Sequence, residues 1–121
     1  MESRKLMIEV ELDIFSGEPN PKWELSEEQI EELKAKLRVF FASVEPQTPP
    51  PLGYRGFFIT NLGKDLMIPD QIHAYNGVLT IMDKARTDCW KDESKIEEWL
   101  ISQARELGYG KIIDEDRQHS S

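Results

Sequence analysis

Tyr54-Arg55-Gly56 is the stretch whose residue types most directly suggest recognition chemistry. An arginine between Gly53 and Gly56 has room to turn its planar guanidinium fork onto a carboxylate or phosphate. In an acidic chain the nearest anion is one of its own carboxylates, so Arg55 reads as an internal ion pair or as a clamp for a small-anion ligand. The histidines are His73, inside an apolar run, and His119, near the end of the sequence. His73 with Arg55 and a carboxylate such as Asp70 would supply a general base and an anion clamp, the minimum for a small enzyme. The plainer reading makes His73 a cross-strand neighbour of Thr80. Glu9, Glu11 and Asp13 form a carboxylate row at ~7 Å spacing, with no second ligand type nearby to complete a metal site. Asp83, Asp88 and Asp92 lack the glycine and the spacing of a calcium loop. Cys89 is the only cysteine, so neither an internal disulfide nor a thiolate zinc set is available. Beside Trp90 it reads as a small buried hydrophobe. No phosphate loop, nucleotide fingerprint, serine elbow or zinc spacing occurs, and no cofactor or metal is implied.

The 121 residues suit one domain, with a net charge of −8 and a sequence pI near 4.8. Such a surface repels phosphate backbones and anionic lipid, which argues against nucleic acid and membrane partners. The opening residues lack the apolar region of a signal peptide, and no run approaches transmembrane length. The expected setting is the reducing cytoplasm.

The elements that must position these residues follow from periodicity. Residues 6–15 alternate, with Ile8, Val10, Leu12 and Ile14 on one face and Glu9, Glu11 and Asp13 on the other, a half-buried strand. Ser26-Glu-Glu-Gln29 is a capping box, and Ile30, Leu33, Leu37, Phe40 and Phe41 set the stripe of a ~15-residue helix. The proline-rich run 45–53 is a stiff polyproline spacer rather than a PxxP ligand, and 56–61 is a central strand. Asn76-Gly77 is a type I′ hairpin turn that sets Tyr75 opposite Val78, Ala74 opposite Leu79, His73 opposite Thr80 and Ile72 opposite Ile81. Residues 83–91 read as irregular loop. A last helix starts at Asp92 or at Ser94, the latter forming a capping box with Glu97, and stops at Gly108. Residues 109–113 read as a short closing strand, and 114–121 as a disordered tail beyond a single domain of residues 1–113.

Between the first strand and the first helix lies Phe15-Ser-Gly-Glu-Pro-Asn-Pro-Lys-Trp-Glu-Leu25. Pro19 and Pro21 stiffen it, and Gly17 is expected at positive φ. Trp23 either staples this connector to the core or forms a binding lip with Asn20 and Lys22. The pairing of Ser16-Gly17-x-Pro19-Asn20-Pro21-x-Trp23 with Leu52-Gly53-Tyr54-Arg55-Gly56-Phe57 resembles small proteins of uncharacterised family. The resemblance covers two short stretches and implies no activity.

The order strand, helix, strand, hairpin, helix predicts an α+β fold with two helices on one face of a mostly antiparallel sheet. This is a ferredoxin-like βαββαβ plan with an extra hairpin strand. Two functions compete. One is a non-catalytic binding or interaction module that meets a protein or a small anion through Asn20, Trp23, Tyr54 and Arg55. The other is the small enzyme or anion-ligand binder built on Arg55, His73 and a carboxylate. Self-association through an exposed Tyr75 and Val78 is a third, structural role.

Overall fold

The computed structural model describes residues 7–14, 19–39, 41–51, 53–63 and 65–119. Gly17, with its expected positive φ, and Phe40 lie outside the described residues. The fold is α+β, with one six-stranded antiparallel sheet and three helices. In chain order the elements are β1 (Ile8–Leu12), β2 (Lys22–Glu24), α1 (Glu27–Lys36), β3 (Phe57–Asn61), β4 (Gln71–Tyr75), β5 (Val78–Asp83), β6 (Arg86–Lys91), α2 (Ile96–Glu106) and α3 (Gly110–His119). The strands lie in the order β2-β1-β3-β4-β5-β6. The sheet is therefore a meander with one helix-bearing excursion between β2 and β3. The ferredoxin-like plan with an extra strand calls for five strands and two helices, whereas this chain has six strands and three helices.

The alternation of β1 resolves as expected, with Ile8, Val10 and Leu12 fully buried and Glu9 and Glu11 half-exposed. The Asn76-Gly77 hairpin has the register that its turn chemistry dictates. Tyr75, Ala74, His73 and Ile72 face Val78, Leu79, Thr80 and Ile81, and Asn76 and Gly77 both carry positive φ. Val78 is buried, so it offers no exposed apolar contact for self-association.

Three segments depart from the sequence reading. Within residues 83–91, expected as irregular loop, Arg86–Lys91 form β6, paired along its whole length with β5 across a tight turn in which Lys84 takes φ 57°. The connector from Lys22 to Glu24 is an edge strand on β1. Residues 109–113, expected as a strand, instead enter α3, which crosses the drawn boundary at 113 and runs to His119. Ile113 is fully buried, and Arg105 of α2 grips Asp114 of α3 through two bonds of 2.9 and 2.8 Å.

The capping box of α1 is present, with the Gln29 N–H donating to Ser26 Oγ and the Ser26 N–H to Gln29 Oε1. The helix stops at Lys36, about one turn before the apolar stripe ends, and its last carbonyl accepts the Ser94 hydroxyl at 2.7 Å. Ser94 therefore closes α1 and does not open α2. The start of α2 is capped by Asp92, whose carboxylate accepts the N–H groups of Ile96 and Glu97 at 2.7 and 2.9 Å. All three helices contribute to one core cluster with the strands, through Ile30 and Leu33, Ile96, Leu100 and Ala104, and Ile113. No described helix is long and apolar enough to cross a membrane.

One ion pair ties α1 to the loop after β3. Lys34 Nζ lies 3.0 Å from Asp65 Oδ2, and Asp65 Oδ1 accepts the Met67 N–H at 2.9 Å. That N–H and the ammonium hold the Asp65 carboxyl below the ordinary aspartate range. A carboxyl whose folded pKa is lowered stabilises the fold above its unfolded value and loses that contribution as pH falls through the folded one. Asp65→Asn should therefore lower the urea midpoint at neutral pH, and the gap from wild type should close below about pH 4. A gap that stays constant into acid would show that the carboxylate charge is not the stabilising feature.

Candidate functional site

The helices cover one face of the sheet and leave the other open. The covered face holds Ile8, Val10, Leu12, Phe57, Ile59, Ile72, Ala74 and Leu79, all essentially inaccessible. The open face carries Glu9, Glu11, Phe58, Thr60, Gln71, His73, Thr80 and Cys89, all half-exposed. The four binding residues expected from the sequence divide between these faces.

Tyr54 and Trp23 belong to the helix side. Tyr54 is only 4% exposed and donates its hydroxyl to Glu97 Oε2 of α2. Glu97, itself buried, accepts the Gly77 N–H on its other oxygen at 3.1 Å. One buried carboxylate thus joins α2, the hairpin tip and the chain entering β3. Trp23 is half-buried on β2, with its ring edge-on to Phe57 at 6.3 Å and stacked on Tyr109 at 6.2 Å. Its indole N–H donates to Gln103 Oε1 at 2.8 Å. The remaining Gln103 Nε2 is buried and has no hydrogen-bond partner among the described residues.

Asn20 and Arg55 meet on the open side. Asn20 Oδ1 accepts the Ile14 N–H at 3.1 Å, and its Nδ2 donates to Glu11 Oε2 at 2.9 Å and to Asp13 Oδ1 at 3.4 Å. Arg55 Nε lies 3.3 Å from Asp13 Oδ2. The internal carboxylate that the net charge favours is therefore Asp13. Asn20, Glu11, Asp13 and Arg55 form one polar cluster at the end of β1.

A bulge creates this meeting. Asp13 donates its N–H to the Gly56 carbonyl at 3.0 Å and accepts the Arg55 N–H at 2.8 Å, so two residues oppose one. Tyr54 and Phe57 are three residues apart yet both enter the core, which strict alternation forbids. The phase changes at Gly56, where φ is +93°. A Cβ there would stand 2.4 Å from the Ala74 carbonyl oxygen and 2.8 Å from Tyr75 Cβ.

The same close approach brings His73 Nε2 to 2.8 Å from the Arg55 carbonyl oxygen. A carbonyl only accepts, so Nε2 carries the proton. The His73 ring stacks on Phe58 at 4.5 Å and on Tyr75 at 6.3 Å, an aromatic ladder beside the carboxylate row. His73 thus bonds the main chain of Arg55, while the guanidinium turns to Asp13. Asp70 does not join them. It lies at the opposite end of β4, where Oδ2 accepts the Lys84 N–H at 2.8 Å. Among the described residues no three His, Cys, Asp or Glu side chains gather as a metal-binding group.

Sequence reasoning did not anticipate Phe58, Glu11 or Asp13 as parts of this site. The alternation in β1 had already placed both carboxylates on the wet face. What no local pattern carried was the long-range pairing of β1 with β3 that sets Glu11 beside Phe58. No family model, curated protein or solved structure matches this chain.

Two substitutions probe the scaffold under the site. Gly56→Ala should cost on the order of 3 kcal/mol or more, because both the left-handed backbone and the clash with a β4 carbonyl must be relieved. A urea midpoint within error of wild type would remove the bulge from this account. Trp23→Ala should cost about 3 kcal/mol. Trp23→Phe, which keeps most of the packing and loses the Gln103 bond, should cost about 1 kcal/mol. Equal stability of all three proteins in urea would make Trp23 a surface lip rather than a staple.

Proposed function

We propose that this chain is a non-catalytic binding module whose open sheet face receives an arginine-bearing segment of a partner protein. The observation that carries the reading is the Phe58–His73–Tyr75 ladder, an aromatic strip left half-exposed beside acidic strands. A guanidinium fits both features, stacking on an aromatic ring while its fork meets carboxylates. Glu9 stands directly opposite Glu24 in the β1–β2 register, and Glu11 stands opposite Phe58. Like charges paired across strands destabilise a sheet, and a bound cation would relieve that repulsion. A net charge of −8 would speed the approach of such a partner.

The competing reading, a small enzyme or anion-ligand binder on Arg55, His73 and a carboxylate, has weaker support. Arg55 is engaged by Asp13, and Asp70 sits at the far end of the sheet. An anion arriving at Arg55 would also face Glu11 and Asp13.

The test titrates the protein with Nα-acetyl-arginine amide and follows the Phe58, His73 and Tyr75 ring resonances by NMR. Millimolar ligand should shift these rings, with the lysine analogue weaker. A Glu9→Gln/Glu24→Gln variant should bind several-fold less well, losing two rim charges worth a fraction of a kcal/mol each. Ring resonances that stay fixed while acetate or phosphate shifts them would overturn the proposal in favour of an anion site.

A further inference from the structure

At the end of the sheet away from Arg55, the loop between β3 and β4 is firmly built yet holds apolar side chains out in water. Asn61 Nδ2 donates to the carbonyls of Asp65 and Ile68 at 2.8 and 2.9 Å, and Asn61 Oδ1 accepts the Asp65 N–H at 3.2 Å. Asp65 in turn accepts the Met67 N–H and pairs with Lys34. Ile68 anchors the return to the core at 4% exposure. Between these fixed points Leu66 is 97% exposed, Met67 61% and Leu62 50%.

None of the bonds that shape the loop uses the side chain of Leu66 or Met67. A polar residue at either position would satisfy the same geometry and remove apolar surface from water. Leu66 and Met67 also form one wall of a cleft of about 350 Å³ that continues to Asp70, Asp83 and Lys84. This volume lies at the low end of the ~300–1,000 Å³ typical of ligand sites, enough for one or two side chains.

We infer that this loop and cleft form a second docking surface, independent of the sheet face, for a peptide segment that carries a large apolar side chain next to a basic one. The apolar residue would pack on Leu66 and Met67. Methionine and leucine adapt to varied apolar shapes, which suits a peptide. The basic residue is selected by Asp70 and Asp83. Each carboxylate accepts one main-chain N–H, from Lys84 and from Asp70 respectively, and neither forms an ion pair among the described residues. Asp65 and the Lys84 ammonium also line the cleft, and with Asp65 paired to Lys34 the described lining keeps one net negative charge. A second copy of this chain fits poorly, since it would bring a further charge of −8 to an acidic cleft. Anionic lipid is disfavoured for the same reason.

The test selects a random peptide library against the full chain and measures the enriched peptides by fluorescence anisotropy. The expected consensus pairs Leu, Ile, Met or an aromatic with an adjacent Arg or Lys. Leu66→Ser/Met67→Ser should weaken those peptides about tenfold or more. Asp83→Asn should weaken them several-fold and flatten their salt dependence. Both changes lie at exposed positions, and an unchanged urea midpoint confirms that the variants fold. Phe58→Ser, on the sheet face, should leave these peptides unaffected. An acidic or purely apolar consensus, the absence of enrichment, or binders insensitive to Leu66→Ser/Met67→Ser would overturn the inference. Peptides lost with Phe58→Ser alone would assign binding to the sheet face instead. Dimerisation abolished by Leu66→Ser in light scattering would make the occupant a second copy and likewise overturn it.

Discussion

The site end of this molecule hangs on the absence of a side chain at residue 56. There β3 enters the sheet so close to β4 that a single Cβ would overlap the Ala74 carbonyl, and the backbone takes a left-handed turn that L-residues avoid. The bulge that results reverses the alternation of the strand. Tyr54 is sent to the helix side, where it reaches Glu97, and Arg55 is sent to the open side, where it reaches Asp13. Without that reversal the tyrosine would face water and the guanidinium would face an apolar core. Burying an unpaired charge costs more than the fold of a small domain can offset. The bulge is therefore a condition for having both the buried Tyr54–Glu97–Gly77 tie and the exposed Asn20–Asp13–Arg55 cluster.

The two ties act on different parts of the structure. Glu97 is deep in the protein, and both its oxygens accept hydrogen bonds, so it fixes α2 against the hairpin tip and the β3 entrance together. Losing either donor would leave a buried acceptor unsatisfied, which costs about 1–3 kcal/mol. The Arg55–Asp13 pair is more exposed, with the arginine side chain 40% accessible and the aspartate 19%. Screening by solvent keeps such a pair to a small net contribution, and its effect is positional. It draws the guanidinium down beside Asn20 and leaves the His73–Phe58 stack uncovered. The open face thus owes its aromatic character to where Arg55 goes as much as to the aromatic residues themselves.

What the sequence made legible was local. The Asn76-Gly77 hairpin register follows from a two-residue turn and period-two alternation, and every pair of it is fixed within twelve residues of chain. The capping box at Ser26 and the wet face of β1 are local in the same sense. The misreadings arise where a local pattern had two uses. Ser94 with Glu97 matches a capping box, but Asp92 reaches the same N–H groups, which frees Ser94 to close α1 and Glu97 to turn inward. Tyr109-Gly-Lys-Ile-Ile113 matches a strand until Ile113 is seen to be buried on one turn of α3, with Arg105 holding Asp114 one residue further on. The strand Arg86–Lys91 escaped because Arg86, Thr87 and Lys91 are exposed and its turn, Lys84-Ala85, has neither glycine nor asparagine. Its pairing with β5 supplies what its composition lacks.

The site belongs to a different category, because its members come from separate strands and no spacing rule links them. Asn20 and Arg55 stand in two stretches that the sequence singled out, yet Asp13, the residue that joins them, drew notice only as part of a carboxylate row. Residues that fold stability would not choose are the more useful guide. Glu9 opposite Glu24, Phe58 half-exposed, and Leu66 held out by a fully bonded loop each carry an unfavourable term that a simple substitution would remove. Glutamine at 24, threonine at 58 or serine at 66 would satisfy the backbone geometry equally well. These three departures lie on the open sheet face and in the β3–β4 loop, and the helix side carries others in the exposed Val39 and Leu107 and in the unpartnered amide of Gln103. What sets the open sheet face and the β3–β4 loop apart is that the apolar residue in each adjoins acidic ones, Phe58 beside Glu11 and Leu66 in the cleft of Asp70 and Asp83. That pairing is the physical ground for reading those surfaces as places where this protein meets something else.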